Sequence, residues 1–232
     1  REVSWSECEL TGNTTGYRIT GDGPVEVSGS TAMFRASALN VKLNDAIDLT
    51  EPSYANLYAM AANKLVVNGD ITATEAAGGF VNVGLYAAMA TTINGYVSVT
   101  GGAGSYAFLG IGTDEEVTML PTNTATVNGD ISVVSGMMAN ALIFARDVNA
   151  PGQITVRGKG VGTTGNINAG LAIWAANNLN VAGDVLVSNT MGNAGTQYVF
   201  GGDARVGRHT VNGGPNGGGM GRFNTKDPAG GG

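Results

Sequence analysis

Residues 67–71 read VNGDI, and residues 127–131 read VNGDI again. The echo is part of a longer internal repeat, and a repeat constrains a fold strongly because each unit must bury its apolar face against its neighbours. Four segments align: ANLYAMAANKLVVNGDITATEAAGG from 55, VGLYAAMATTINGYVSVTGGAGS from 83, ALIFARDVNAPGQITVRGKG from 141 and AGLAIWAANNLNVAGDVLVSNT from 169. Each has an apolar run, a short polar step, a Gly and an alternating strand. The anchors Leu57, Leu85, Leu142 and Leu171 are 28, 57 and 29 residues apart, so the middle gap holds two periods. A weaker copy fills that gap, with extra residues between Ile111 and Thr126. Degenerate copies start at 32 and at 196.

The alternation gives the strand periodicity. Leu65, Val67, Gly69, Ile71 and Ala73 share one parity, and Asn68, Asp70, Thr72 and Thr74 share the other. The first set faces inward and the second faces water, as a half-buried strand requires. LYAMAANK and LAIWAANN are too short for helices and run straight into the next strand, so they read as strands against the coil interior.

An Asn-Gly pair between apolar residues is a strong hairpin signal. The aligned copies argue against a hairpin here, because Pro151 stands where VNGDI has Asn, and proline cannot adopt the positive φ of a type I′ turn. What recurs is Gly69, Gly95, Gly129, Gly152 and Gly183. A glycine on the inward parity suits a bend where backbone approaches backbone. The expected fold is all-β, a parallel β-helix (β-solenoid) of six to seven coils, with a β-sandwich or jelly roll as the alternative. Residues 1–24 then form a terminal cap or partner-contacting segment, 25–212 the solenoid with an insertion around 111–126, and 213–232 a Gly-rich tail. Stacking places Asp70, Tyr96, Asp130, Gln153 and Asp184 in one outward column, where a neutral residue separates successive carboxylates. Beside it runs Thr72, Ser98, Ser132, Thr155 and Leu186, mostly hydroxyls.

Charged residues make up 13% of the chain and the net charge is −6, against roughly 25% charged in an average domain. Without a run of Lys or Arg there is no footprint for nucleic acid, and no stretch reaches the ~18 apolar residues of a transmembrane helix. A start at Arg1 fits a chain whose signal peptide has been removed. The lone Cys8 reads as a small buried hydrophobe. For chemistry, the densest acids are Asp114, Glu115 and Glu116 in the insertion, a possible loop site, although consecutive residues point apart. Asp147, Asp203 and His209 lie in or near loops without evident partners. No metal-ligand spacing, phosphate loop or nucleophile elbow occurs, so no cofactor, metal or catalytic residue is expected.

The elements VNGDI, INGYV, VAGDV and NLNV, set in Gly-, Asn-, Thr- and Ala-rich coils, resemble those of bacterial secreted β-solenoid surface proteins: adhesins, autotransporter passengers and filamentous-haemagglutinin-like repeats. The resemblance spans roughly residues 25–212 and is one of architecture. It implies an extracellular or cell-surface location and structural or adhesive duty. A short rod with exposed end strands is expected to stack head to tail on itself into a filament or matrix. The alternatives are an adhesin or fibre module that binds surface glycan, and a polysaccharide-degrading β-helix enzyme.

Overall fold

The computed structural model describes residues 2–4, 9–12, 18–20, 26–28, 33–113, 121–160, 167–215 and 218–225, and among them every regular element is a strand. Four short strands come first: β1 (Glu2–Ser4), β2 (Glu9–Gly12), β3 (Arg18–Thr20) and β4 (Glu26–Ser28). The coils follow. The first holds β5 (Met33–Leu43) and β6 (Ile47–Glu51), the second β7 (Tyr54–Val67) and β8 (Ile71–Ala77). The third holds β9 (Phe80–Ala87), β10 (Ala90–Ile93) and β11 (Val97–Ala103), the fourth β12 (Tyr106–Gly112), β13 (Thr124–Val127) and β14 (Ile131–Val134). The fifth holds β15 (Met138–Ala145), β16 (Asp147–Ala150) and β17 (Ile154–Gly158), the sixth β18 (Ile167–Ala175), β19 (Leu179–Val181) and β20 (Val185–Asn189). The seventh holds β21 (Asn193–Phe200), β22 (Ala204–Val206) and β23 (His209–Asn212), and β24 (Gly219–Thr225) begins another turn.

Each coil has three faces. The first face stacks the leading parts of β5 and β7 with β9, β12, β15, β18, β21 and β24; the second stacks the trailing parts of β5 and β7 with β10, β13, β16, β19 and β22. The third is a separate sheet of seven strands, from β6 to β23. Coil-to-coil pairing is parallel throughout, so the chain is a β-solenoid of about seven turns; a sandwich of hairpins would pair antiparallel. At ~4.8 Å per turn, seven turns rise roughly 34 Å.

The inward parity fills the core. Leu57, Leu85, Ile93, Val97, Ile131, Ile143 and Val185 are all buried, and fully burying an aliphatic side chain of this size contributes about 1.5–3 kcal/mol. A single coil presents only a ring of such residues, so they become buried only when coils stack.

The register of the copies differs from the sequence alignment. Leu57 stacks on Val83, and Leu85 stacks on Ala59 and Ile111. Leu142 sits beside Gly110 on the outward parity, while Ala141 and Ile143 fill the core positions. Coil lengths vary, and a gap of 28 residues between two leucines conceals a coil of 26 with a shift of two. A shift of two keeps parity, so it leaves the alternation intact.

At the first coil's edge, β2 runs antiparallel to β5, with Leu10 opposite Ala36, and β1 places Val3 opposite Leu43. These strands take up backbone groups that an edge would leave unpaired. At the other end β22, β23 and β24 each pair on one side only among the described residues.

Candidate binding face

The repeated corner is architecture. It joins the second face to the third, and its glycines pack backbone against backbone. A Cβ on Gly69 would lie 2.6 Å from the Ala46 nitrogen, and one on Gly152 would lie 2.7 Å from the Gly129 carbonyl oxygen. Gly95, Gly129 and Gly183 press in the same way on Gly69, Gly95 and Gly152, and Gly207 adds a sixth member by pressing on Gly183. Just before the glycine, Asn68 donates its amide N–H to Asn44 Oδ1 at 3.0 Å, Asn94 donates to Asn68 at 2.8 Å and Asn128 to Asn94 at 2.7 Å. A second amide pair, Asn180 to Asn149 at 2.9 Å, sits on the second face. Just after the glycine, Asp70 Oδ1 accepts the Tyr96 N–H at 2.9 Å and Asp130 Oδ1 accepts the Gln153 N–H at 2.8 Å.

The corner from the third face to the first is polar inside. Glu75 is only 1% exposed, and its carboxylate accepts the Gly79 N–H and Gly102 N–H, both at 2.9 Å, and the Ser105 hydroxyl at 2.8 Å. In the next coil the Ser135 hydroxyl donates to the Ser105 carbonyl. Asn189 repeats the device, accepting from Met191 N–H at 3.2 Å and donating to the Asn193 carbonyl at 3.1 Å. These buried groups are engaged in holding turns.

The other candidates give no catalytic constellation. Asp114, Glu115, Glu116 and Cys8 lie outside the described residues. Asp147 opens β16 and pairs with Arg146, Nε to Oδ2 at 2.7 Å, while its Oδ1 accepts from the Asn177 amide at 3.0 Å and the Asn178 N–H at 3.1 Å. Burial pushes its pKa up, but these hydrogen bonds and the guanidinium outweigh that and hold it below the usual carboxylate range. Asp203 is exposed, and its N–H donates to Asn178 Oδ1 at 2.9 Å. His209 opens β23, its Nε2 2.7 Å from Thr196 Oγ1 and its ring edge-on to Tyr198 at 5.4 Å. Burial lowers its pKa and raises that of Tyr198. Among the described residues no three His, Cys, Asp or Glu side chains form a group able to hold a metal ion, and no helix is long and apolar enough to cross a membrane.

The three outer faces differ in kind. The third carries two hydroxyl-rich columns. The first runs Thr72, Ser98, Ser132, Thr155 and Leu186 in direct register, and the second begins Thr50, Thr74 and Thr100 before Val134 and Arg157 replace the hydroxyls. The first face carries rings. Tyr54, Phe80 and Tyr106 are successive partners in one column, with Tyr54 51% and Tyr106 46% exposed, and the Tyr54 and Phe80 rings meet edge-on at 4.8 Å. The neighbouring column places Asn56 and Asn82 beside Phe108, which is 38% exposed, and then Asn140. These rings, with amides in the adjoining column, form the aromatic part of the first face, and other large apolar side chains are exposed elsewhere, at Leu39, Met89, Tyr96 and Met220. The alignment concealed this column, because Tyr54 and Phe80 lie just outside the segments it compared.

Comparison with protein-family models, with curated proteins and with solved structures returns no match for the chain.

Proposed function

We propose that this protein is a non-enzymatic extracellular rod that binds an extended glycan, free or on a cell surface, along its first face. The carrying observation is the Tyr54–Phe80–Tyr106 column, with both tyrosines exposed and Phe80 half-buried between them, and amides in the adjoining column. An aromatic face has a negative quadrupole, which attracts the polarised C–H groups on the apolar side of a pyranose ring, and amides pair with hydroxyls through both donor and acceptor. Coils advance by ~4.8 Å, close to the advance of one sugar in an extended β-linked chain. A polymer laid along the rod therefore meets one ring or amide per residue.

Adsorption to insoluble polysaccharides tests this reading. The variant Tyr54→Ala/Tyr106→Ala removes two exposed rings and leaves the core intact. At least a tenfold loss of adsorption, with an unchanged circular dichroism spectrum, is expected. Undiminished adsorption by that variant, or no adsorption by the native protein, refutes it.

End-to-end self-assembly into a filament is a second reading, favoured by the one-sided pairing of β22, β23 and β24. Unpaired edges recruit strands. Regular filaments of coil-spaced subunits in electron micrographs support it, and discrete particles at every concentration exclude it.

A further inference from the structure

The first face changes character after the fourth coil. Its second outward column runs Phe108, Asn140, Gly170, Gly195, Met220 in unbroken register. Two successive coils bring no side chain, so a depression opens over Gly170 and Gly195 between Asn140 and Met220. Three coil spacings, roughly 14 Å, separate those two walls. The resulting groove has a volume of ≈ 490 Å³ and is flanked by Leu142, Ala172 and Gln197, within the usual range for small-ligand sites of about 300–1,000 Å³.

Two features of this groove identify its occupant. None of the described residues lining it is ionisable, so among them a charged ligand finds no counter-charge. Its two amides, Asn140 and Gln197, make no side-chain hydrogen bond among the described residues, whereas Asn44, Asn68, Asn94 and Asn128 are consumed by one another. Amides left unused beside an apolar floor of glycine, leucine and alanine match a ring that is apolar on its faces and hydroxylated at its rim. Phe108, exposed at one end, offers a stacking surface continuous with Tyr106 in the adjoining column.

We infer that the groove over Gly170 and Gly195 is a subsite for two sugars of a neutral, extended glycan, gripped at its rim by Asn140 and Gln197. The inference rests on the glycan-binding reading of this face and names the substrate class: neutral rather than acidic, and bound as a disaccharide unit. The ring column then adsorbs the polymer, and the groove selects it.

The test titrates the whole protein with cellobiose, with diacetylchitobiose and with a uronic-acid disaccharide, followed by calorimetry and by amide chemical shifts. Saturable binding of at least one neutral disaccharide is expected, with shifts at Gly170 and Gly195 and at least tenfold weaker binding of the acidic one. Asn140→Ala/Gln197→Ala, both outward positions, should weaken disaccharide binding at least tenfold, and Gly195→Val should abolish it by filling the floor. Thr72→Ala/Thr155→Ala, on the third face, should leave disaccharide affinity unchanged. Polymer adsorption without disaccharide binding at millimolar concentration overturns the groove and spares the ring column. Disaccharide binding with groove shifts, combined with full adsorption by the tyrosine variant, overturns the ring column and spares the groove. Affinity unchanged in Asn140→Ala/Gln197→Ala, or tighter binding of the acidic sugar, removes the assignment.

Discussion

The carboxylate of Asp70 accepts the backbone N–H of Tyr96 from the coil above, at 2.9 Å. An acid at one corner is thus answered by the main chain of the next, and Asp130 does the same for Gln153 at 2.8 Å. Acid and neutral residue alternate because each carboxylate reaches across one coil spacing, into the place where a second carboxylate would stand.

Tyr96→Asp breaks that alternation. The new acid lies one coil, ~4.8 Å, from both Asp70 and Asp130. Unit charges this close in a water-like medium repel by about 1 kcal/mol per pair. A loss of about 1–2 kcal/mol in urea unfolding at low salt is expected, shrinking in 1 M salt as screening sets in. Equal losses at both salt concentrations would mean that repulsion is not the cause.

Glu75 is a buried acid whose acceptors are all engaged, by Gly79, Gly102 and Ser105. Glu75→Ala strands two buried donors and the partly buried Gly102 N–H, and each buried orphan costs about 1–3 kcal/mol. The expected loss is about 3–5 kcal/mol, enough to open the third coil; hydrogen exchange should show it as lost protection around 79–105. Glu75→Gln keeps two acceptor sites on its single carbonyl oxygen and should cost less. Equal losses in the two variants would exclude the hydrogen-bonding account.

Two glycines distinguish steric from conformational causes. At Gly129 a Cβ would meet the Gly95 backbone, and at Gly78, where φ is 73°, nothing lies within 4 Å. Gly78→Ala should cost about 1–2 kcal/mol, the penalty of left-handed backbone. Gly129→Ala must push adjacent coils away from each other and should cost more, at the upper end of the 1–3 kcal/mol typical of overpacking. Thermal denaturation ranks the pair, and the reverse order would refute the close-contact reading of the corner.

His209 should make the last coil sensitive to acid. Burial lowers its pKa, so the folded chain takes up the proton at lower pH than the unfolded chain, whose histidine titrates near 6.5. Stability is therefore full above pH ~6.5, falls as pH drops from there through the folded pKa, and levels off below it. Thr196 and Tyr198 pack against the ring. Native protein should lose melting temperature between pH 7.5 and 5, and His209→Gln should lose less. Asp147, also lowered, acts in a more acidic window, where its protonation removes stability.

The coil was legible in the sequence because burial follows parity. Leu65, Val67, Ile71 and Ala73 face the core as their alternation requires, and the same parity continues to Glu75, a buried acid that an alternation judged by apolar residues leaves out. Parity cannot report register, which is why Leu57 and Leu85 looked equivalent. It also fails where a large ring folds back on the surface: Phe144 has outward parity yet is 1% exposed, packed 5.1 Å from Trp174 in the next coil. The ring column and the groove escaped notice for a related reason. Both are properties of columns, made by residues 25 to 32 positions apart, such as Gly170 with Gly195 or Phe108 with Asn140. Coil lengths differ, so no fixed window brings such residues together.

The amide ladder at the corner points one way. In all three links the later asparagine gives its N–H to the earlier one. A new turn inserted there needs a glycine thin enough to lie under its neighbour, and an asparagine before it extends the ladder, whereas Pro151 and Ala182 show that a turn also forms without one. Beyond that and the apolar inward parity, the outward positions of the turn are free to drift. Lineages of such rods can therefore lengthen by duplication and diverge in their faces, with kinship surviving in the inward alternation and in one glycine per turn at one edge.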